Sequence, residues 1–476
     1  MPLDTQSVWA ALGAGSGADL QQQVVASVVV DSREAVPGSL FVALPGERTD
    51  GHLFVADAFQ RGAQLAIVER PIEGYITVDT QRPWHEQPQL ARELRFPWCL
   101  QVPDSLRALQ QLAAFWRARQ SACRVVGITG SVGKTSTKEL VAGVLARRFR
   151  TLKSEGNYNN EIGLPLTMLR LDSTTEWAVQ EMGMYGRGEI ARLAEIAQPE
   201  IGVVTNVGHT HLERLGSIEA IALAKAELVE ALPADGWAVL NGDDERVRAM
   251  AARTPARNIV YYGEGPHNDL MADELRSLGL EGIGLRMHWR GETVHVRLPL
   301  LGRHSVFGVL AATAVGLVLG LHWEEVLSGL KDSSVQARLL VVPGLHGSTI
   351  LDDTYNASPA SVIAALNLLA DMQGRKVAVL GDMLELGSFE VEGHRLVGRR
   401  AAEVADILLT VGERASSISK EAIAVGMAPN CVRHAQDLNG ALALMKDMLQ
   451  AGDFVLVKGS RGMAMDGLVS QLARGD

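Results

Sequence analysis

The chain has 476 residues and a formal net charge of −10. Its 47% hydrophobic and 21% charged residues are typical of a globular protein, and its length predicts several domains. The acidic balance argues against nucleic acid as a partner, because such binding needs clustered Lys and Arg. Three cysteines are too few for a disulfide framework, and the N-terminus lacks a signal-peptide pattern, so we expect a cytoplasmic protein.

One apolar run has to be weighed as a membrane span. Residues 305–323 contain no Asp, Glu, Lys or Arg. The run is nevertheless rich in Gly and Ala and includes His322, a composition that favours a buried helix. We therefore expect no membrane as a partner.

The first region, residues 1–102, predicts a small α/β domain. Its apolar runs at 24–30, 38–44 and 65–68 are predicted strands. Ser32 and Arg33 follow the first of them, and a polar loop containing Gly46 follows the second. These residues either contact a ligand or form ordinary surface turns.

A second region, residues 103–331, contains a phosphate-binding pattern. It begins with a helix predicted at 104–119 with Asp104 as a possible cap, and a strand predicted to end at 301–304 precedes its Ala-rich helix. A predicted strand at 124–129 is followed by a turn with Gly130 and Gly133 and by a helix beginning at Lys134. Backbone N–H groups of such a loop and of the helix N-terminus bind phosphate, while the lysine reaches the terminal phosphates and the Thr135 hydroxyl holds Mg²⁺. The strict motif would place a glycine at 128, but it stands at 127. An ordinary strand-to-helix turn is the alternative.

Polar residues on the following segments suit ligand contacts. Asn159 and Asn160 belong to a polar loop that either binds sugar or phosphate or is a capped turn. Glu181 ends a predicted strand, where a second metal ligand is expected beside a phosphate loop.

A histidine-containing segment and an apolar helix follow. His209 and His211 precede Glu213, and the absence of cysteine nearby favours Mg²⁺ over zinc as a bound metal. Lys225 lies in an apolar helix predicted at 218–232. Lysine is seldom buried unpaired, so its ammonium is paired, chemically modified or extended to water.

The third region, residues 332–476, alternates predicted strands, at 348–351, 376–380, 407–411 and 454–457, with helices. Such βαβ units predict a doubly wound, mostly parallel sheet. Polar residues at its strand ends either bind ligands, as expected at the carboxyl edge, or are turn residues, and they occupy 352–356, 381–382 and 458–461. The sequence thus predicts an α/β protein of three domains with a central P-loop domain.

Taken together, these motifs resemble the Mur ligases. The matching residues occur in the family's order, at 129–135, 181, 211–213, 225, 302–304, 353–356 and 458–461. Three further stretches, at 31–44, 157–165 and 381–387, resemble the members that add a D-alanyl-D-alanine dipeptide. The similarity covers nearly the whole chain.

The resemblance implies an ATP-dependent amide ligase that works through an acyl phosphate. Its expected partners are UDP-MurNAc-tripeptide and D-Ala-D-Ala, and its expected product is the pentapeptide precursor of peptidoglycan. The first domain would bind the UDP end, the second ATP and two Mg²⁺, and the third the dipeptide. A monomer is expected.

The resemblance also implies roles for individual residues. Those implied for ATP binding are Thr129, Gly130, Ser131, Val132, Gly133, Lys134, Thr135, Ser136, His304, Asp353 and Tyr355. Those implied for the other substrates are Ser32, Arg33, Gly46, Asn159, Asn160, Asn356, Lys458 and Arg461. Metal ligands would be Thr135, Glu181, His211 and a carbamylated Lys225. Catalytic roles fall to Lys134, Lys225, His211 and Arg338.

The chain departs from the family pattern at a few positions. Ser305 and Gly308 stand where the family usually has asparagines linked to adenine binding, and Ser358 replaces another asparagine. Two alternatives stay open. A folylpolyglutamate synthase would share ATP and the acyl phosphate, whereas a P-loop switch protein would need a guanine-specific Asn-Lys-x-Asp motif, which we do not find.

Overall fold

The computed structural model describes residues 3–12, 22–46, 49–82, 95–332 and 339–473. The chain divides into two compact units. The first comprises Met1–Gly127, Phe149–Met184 and Gly188–Glu200. The second comprises Ile128–Arg148, Tyr185–Arg187 and Ile201–Asp476.

The described residues form three β-sheets. Their strands, in chain order, are β1 Val28–Val29, β2 Leu40–Val42, β3 Leu65–Val68, β4 Thr77–Asp79, β5 Trp98–Gln101, β6 Arg124–Thr129, β7 Thr151–Lys153, β8 Trp177–Glu181, β9 Ile201–Val204, β10 Trp237–Asn241, β11 Asn258–Gly263, β12 Leu270–Ser277, β13 Ile283–Trp289, β14 Glu292–Leu298, β15 Leu340–Pro343, β16 Thr349–Asp352, β17 Lys376–Gly381, β18 Ile407–Val411, β19 Val432–Ala435 and β20 Phe454–Lys458.

The α-helices connect these strands. Within the described ranges they are α1 Thr5–Ala11, α2 Val55–Gln60, α3 Ser105–Arg119, α4 Lys134–Leu145, α5 Gly163–Met168, α6 Glu189–Ala197, α7 Leu212–Leu215, α8 Ile218–Glu230, α9 Glu245–Ala249, α10 Ser305–Val318, α11 Trp323–Leu330, α12 Pro359–Ala370, α13 Glu390–Val404, α14 Ser416–Ala424, α15 Leu438–Met448 and α16 Asp466–Leu472.

The first unit contains a five-stranded sheet in the order β1-β2-β3-β5-β4, with every neighbouring pair parallel. Strands β2 and β3 are buried at every residue, as expected where helices cover both faces of a parallel sheet. Helix α3 begins where the sequence predicts, because the Asp104 carboxylate accepts the N–H of Arg107 at 2.8 Å. This unit also holds the parallel pair of β7 and β8.

The second unit contains strands β9 to β12, each parallel to its neighbour. Strands β12, β13 and β14 then form an antiparallel meander, in which Arg286 pairs with Asp273 at 2.6 Å. The sequence analysis did not predict this meander. It also expected residues 301–304 to end a strand, but β14 ends at Leu298 and Gly302 forms a left-handed turn before α10.

The C-terminal sheet of the second unit has the order β15-β16-β20-β17-β18-β19 and is parallel except at β15. Successive residues of β17 enter different cores. Ala378 and Leu380 join one hydrophobic cluster, whereas Val377 and Val379 join another. Both faces are therefore covered, and the doubly wound, mostly parallel architecture predicted for this region is confirmed.

Predicted element boundaries are most accurate for buried strands. Those predicted at 65–68, 124–129 and 407–411 have these bounds in the structure. The strand predicted at 24–30 is only Val28–Val29, and the strand predicted at 38–44 is Leu40–Val42. Outside these two shorter strands, the flanking segments are joined by single backbone hydrogen bonds, such as that from Ala26 N–H to the Gly38 carbonyl oxygen at 3.0 Å.

The apolar run 305–323 forms α10 and leads into α11. Across the part of the chain that the structure describes, no helix has both the length and the apolar character that a membrane crossing needs.

A buried histidine connects α13 to the loop after β17. His394 is 1% exposed; its Nε2 accepts the N–H of Met383 at 3.1 Å, and its Nδ1 lies 2.7 Å from the carbonyl oxygen of Glu390. These partners require a neutral ring that carries its proton on Nδ1. Burial lowers the pKa of His394.

We expect the free energy of unfolding to fall as the pH is lowered from about 7 to about 5. The unfolded chain then protonates His394, whereas the lowered pKa keeps this buried ring neutral in the folded chain. Chemical denaturation across this range measures the slope. His394→Gln should show a shallower slope than the parent protein, and an equal slope would contradict the assignment.

Candidate functional site

The phosphate-binding pattern folds as the sequence predicts. Strand β6 ends at Thr129, and helix α4 begins at Lys134. Gly130 has φ +149°, and a Cβ at this position would overlap the Thr205 hydroxyl. Gly133 has φ +88° and precedes the helix without a side-chain cap. The N–H groups and dipole at a helix N-terminus favour negative charge, so this end of α4 is suited to an anion.

The segment after β9 braces the glycine loop. Asn206 accepts the Ser131 N–H through its carbonyl and the Val132 N–H through Oδ1, both at 2.9 Å. Its Nδ2 donates to the Val132 carbonyl at 2.9 Å, and the Thr205 hydroxyl donates to the same oxygen at 2.7 Å. The Gly208 N–H donates to the Ser131 hydroxyl at 2.8 Å. Sequence reasoning missed this brace, because its partners lie more than 70 residues apart.

Lys134 folds back over the loop that it follows. Its Nζ donates to the carbonyl oxygens of Gly130 at 2.8 Å and of Ser131 at 3.3 Å. The ammonium is thus held beside the loop.

A cavity of about 410 Å³ opens beside this loop, entirely within the second unit. This volume is in the range of small-molecule sites. Its wall contains one buried hydroxyl, Thr210 Oγ1, without a partner among the described residues. The wall combines residues from the glycine loop, the β9 segment, the start of α10 and the C-terminal region, including Ser131, Val132, Gly133, Ser136, Asn206, His209, His304, Ser305, Phe307, Gly308, Asp353, Tyr355, Asn356, Phe389 and Lys458.

His304 lines the cavity beside charged groups of the C-terminal region. Desolvation by the surrounding protein lowers its pKa, and the Lys458 ammonium acts in the same direction, whereas the Asp353 carboxylate opposes it. A neutral imidazole is therefore favoured near neutral pH. Such a ring offers one donor and one acceptor to a ligand.

Lys225 is buried in helix α8, with 2% of its surface exposed. No carboxylate in the described ranges pairs with it. Burial lowers its pKa far below the usual value, and the charge of Lys134 lowers it further. Of the alternatives that the sequence left open, extension of the ammonium to water is therefore excluded. A neutral amine or a modified one is favoured instead.

His211 contacts the C-terminal region. Its Nδ1 lies 2.7 Å from a carboxylate oxygen of Glu385. Beside this pair, the rings of His209 and Phe389 stack with centroids 4.1 Å apart, and Gly387 approaches the backbone of Glu213. The loop at 383–389 therefore docks on the loop at 209–213, within the second unit.

Several predicted site residues lie in the first unit. Asn159 Nδ2 donates to Glu181 Oε1 at 2.8 Å, so these two predicted residues are in contact. Asn160 Oδ1 accepts the N–H groups of Ile162 and Gly163, at 3.3 and 2.9 Å, and so forms the capped turn that the sequence left as an alternative.

The N-terminal candidates are also within this unit. Ser32 is buried at the start of a short 3₁₀ turn, whereas Arg33 is exposed and paired with Asp31 at 2.6 Å. A Cβ at Gly46 would meet the Thr49 carbonyl oxygen at 2.9 Å, so only glycine fits at this position without a shift. Their predicted contact with substrate stays a prediction.

The remaining candidates belong to the C-terminal region. The Arg461 guanidinium lies over the ring of Tyr355, 5.5 Å from its centroid. Asn356 Oδ1 accepts the N–H groups of Ala357 at 2.9 Å and of Arg461 at 3.4 Å. Arg338 lies outside the described residues.

Three family models match consecutive segments of the chain. The Mur ligase family catalytic domain matches residues 24–117, the Mur ligase middle domain 128–316, and the Mur ligase glutamate ligase domain 337–461. The chain is 35% identical to UDP-N-acetylmuramoyl-tripeptide--D-alanyl-D-alanine ligase of Bacillus subtilis, over 95% of this chain and 94% of that protein.

The chain belongs to the Mur ligase family.

Solved structures agree with this placement. A MurF crystal structure from Acinetobacter baumannii matches with a TM-score of 0.85 and 31% identity, over 99% of both chains. MurF ligase from Thermotoga maritima in complex with ADP matches with a TM-score of 0.78 and 27% identity, over 94% of this chain and 97% of that one. The predicted family and the α/β fold class of this Mur ligase are thus confirmed.

We expect Lys134→Ala to lower turnover at least about 100-fold, because the loop backbone alone cannot neutralise the charge of the transferring phosphoryl group. A steady-state assay of phosphate release measures the effect. Lys420→Ala, which removes an exposed lysine of α14, serves as the control with unchanged turnover. Near-parental activity of Lys134→Ala would refute this role for the lysine.

Proposed function

We propose that this Mur ligase joins D-alanyl-D-alanine to UDP-N-acetylmuramoyl-tripeptide with conversion of ATP to ADP and phosphate. The observation that carries the proposal is the 35% identity to the Bacillus subtilis ligase, because it extends over 95% of this chain. The braced glycine loop beside a cavity supports ATP as the phosphoryl donor. The product would be the pentapeptide precursor of peptidoglycan, made in the cytoplasm by a monomeric enzyme.

The reaction would proceed through an acyl phosphate. An oxygen of the tripeptide carboxylate attacks the γ-phosphorus of ATP, and ADP leaves. The amine of the dipeptide then attacks the activated carbonyl carbon, phosphate leaves, and the amine nitrogen loses a proton. Each step concentrates negative charge, so fixed cations and N–H donors contribute more than a covalent nucleophile would.

The residues around the cavity suit these steps. Thr129, Gly130 and the N–H groups at the start of α4 would surround the phosphates, with Lys134 beside the terminal one. His304, Asp353 and Tyr355 would contact the rest of the nucleotide. Arg338 would reach the phosphates from the C-terminal region.

Magnesium fits the donor types that the chain offers. No cluster of three or more His, Cys, Asp or Glu side chains suited to a metal occurs in the described residues. A few oxygen donors suit Mg²⁺, which keeps several waters and binds substrate phosphates. The proposed metal ligands are Thr135, Glu181, His211 and a carbamylated Lys225. Bound Mg²⁺ would neutralise charge on the phosphate oxygens.

Carbamylation would explain the burial of Lys225. A neutral amine is the form that adds carbon dioxide, and the conditions that favour it are burial and the nearby charge of Lys134. Addition forms an N–C bond and releases one proton, which leaves an anionic carbamate. The carbamate would replace a poorly solvated cation by a ligand for the metal.

The other substrates would bind at two places. Ser32, Arg33, Gly46, Asn159 and Asn160 would contact the UDP-sugar, and Asn356 and Arg461 would contact the dipeptide. The proposed domain division is residues 1–102, 103–331 and 332–476.

The proposed activity can be tested with defined substrates. Purified protein with ATP, Mg²⁺, UDP-N-acetylmuramoyl-tripeptide and D-Ala-D-Ala should release phosphate and form the amide product, as measured by a coupled assay and mass spectrometry. Turnover with a folate and glutamate instead would identify a folylpolyglutamate synthase. Preference for GTP over ATP, without ligation, would favour a switch protein.

We expect Lys225→Ala to lose activity and bicarbonate not to restore it, because no amine remains to be carbamylated. Incubation of the parent protein with ¹³C-bicarbonate should give a protein-bound carbamate signal in NMR that the variant lacks. Thermal unfolding of both proteins controls for misfolding. Normal turnover by the variant, or the same signal in both, would disprove the carbamate.

A further inference from the structure

Lys458 ends strand β20 as a buried cation, with 2% of its surface exposed. Its Nζ lies 2.7 Å from Oδ2 of Asp353, and it donates to the carbonyl oxygens of Asn356 at 2.7 Å and of Asp353 at 3.3 Å. An ammonium has three donors, and three protein oxygens surround this one. A substrate carboxylate would have to displace one of them.

The partners of Lys458 form one short loop of the cavity wall. The loop at 353–356 follows β16, and the N–H of Asp353 donates to the Val457 carbonyl at 3.0 Å. Lys458 contacts both ends of this loop. It forms an ion pair with the Asp353 carboxylate at one end and donates to the Asn356 carbonyl oxygen at the other. Asp353, Tyr355 and Asn356 all line the cavity. The lysine thus fixes both ends of a loop that faces the proposed nucleotide.

We infer that Lys458 is a positioning residue for ATP, which acts by orienting the Asp353 carboxylate and its loop, and not a ligand of the dipeptide. The inference rests on the proposed function for the identity of the two substrates. Without Lys458, the partly buried Asp353 carboxylate would lose its charge partner, and such a group reorients towards water. The loop at 353–356 would then no longer be held in one conformation beside the nucleotide.

Lys458→Met tests this, because methionine keeps an unbranched apolar stem and removes the charge. We expect the Kd for ATP, measured by equilibrium titration of the full-length protein without peptide substrates, to rise about tenfold or more. The KM for D-Ala-D-Ala at saturating ATP should change less than about threefold. Lys376→Met is the matched control, because Lys376 lies at the opposite end of the neighbouring strand β17 and should leave both values unchanged.

A double-mutant cycle separates positioning from a direct contact. If Lys458 acts through Asp353, the double variant Asp353→Asn, Lys458→Met should bind ATP no more weakly than Asp353→Asn alone. The double variant leaves no unpaired charge at positions 353 and 458, so its ATP affinity can still be measured if Lys458→Met alone fails to fold. Additive losses, or a rise in the KM for the dipeptide that equals or exceeds the loss of ATP affinity, would overturn the inference. Absence of ligation by the parent protein would refute the proposed function, whereas the ATP titrations would still decide the role of Lys458.

Discussion

The approach of Gly130 to Thr205 is the contact on which the site depends. Only a residue without a side chain fits there, and the backbone at Gly130 adopts a positive φ that other residues rarely adopt. The approach brings Asn206 within reach of the loop, where its amide satisfies two backbone groups of the loop as a neighbouring strand would. The conformation of the glycine loop is therefore set by a second segment of the chain, before any ligand binds.

Two lysines lie close together in a protein that is acidic overall. The chain carries a net charge of −10, yet Lys134 and Lys225 are close enough for the charge of Lys134 to lower the pKa of Lys225. A second positive charge, on Lys225, is unfavourable there unless an anion lies beside the pair. Binding of phosphates, or formation of a carbamate, would supply that anion.

Sequence analysis predicted best what depends on neighbouring residues. Strand β6, the glycine turn and the cap of α3 by Asp104 follow from local patterns, and they were found in place. The brace by Asn206 and the pair of His211 with Glu385 join residues far apart in the chain, so no local pattern indicates them. The meander of β12 to β14 was missed because buried residues alternate with more exposed ones along its strands instead of forming a continuous apolar run. The alternation of Ile283, Leu285, Met287 and Trp289 in β13 is the signal that could have indicated it. Asn160 forms the local cap that the sequence left open as one of two alternatives, because its Oδ1 accepts nearby backbone N–H groups.

The stacked rings of His209 and Phe389 have a pharmacological consequence. Both rings line the cavity, but they belong to loops that are far apart in the sequence. His209 follows β9, and Phe389 precedes α13. A planar inhibitor that wedges between them would have to separate the two loops. Its binding would then favour a conformation in which these two loops are apart, because a ligand shifts a population towards the state that it binds better. Such a compound would act on the geometry of the catalytic cleft without resembling any of the three reactants.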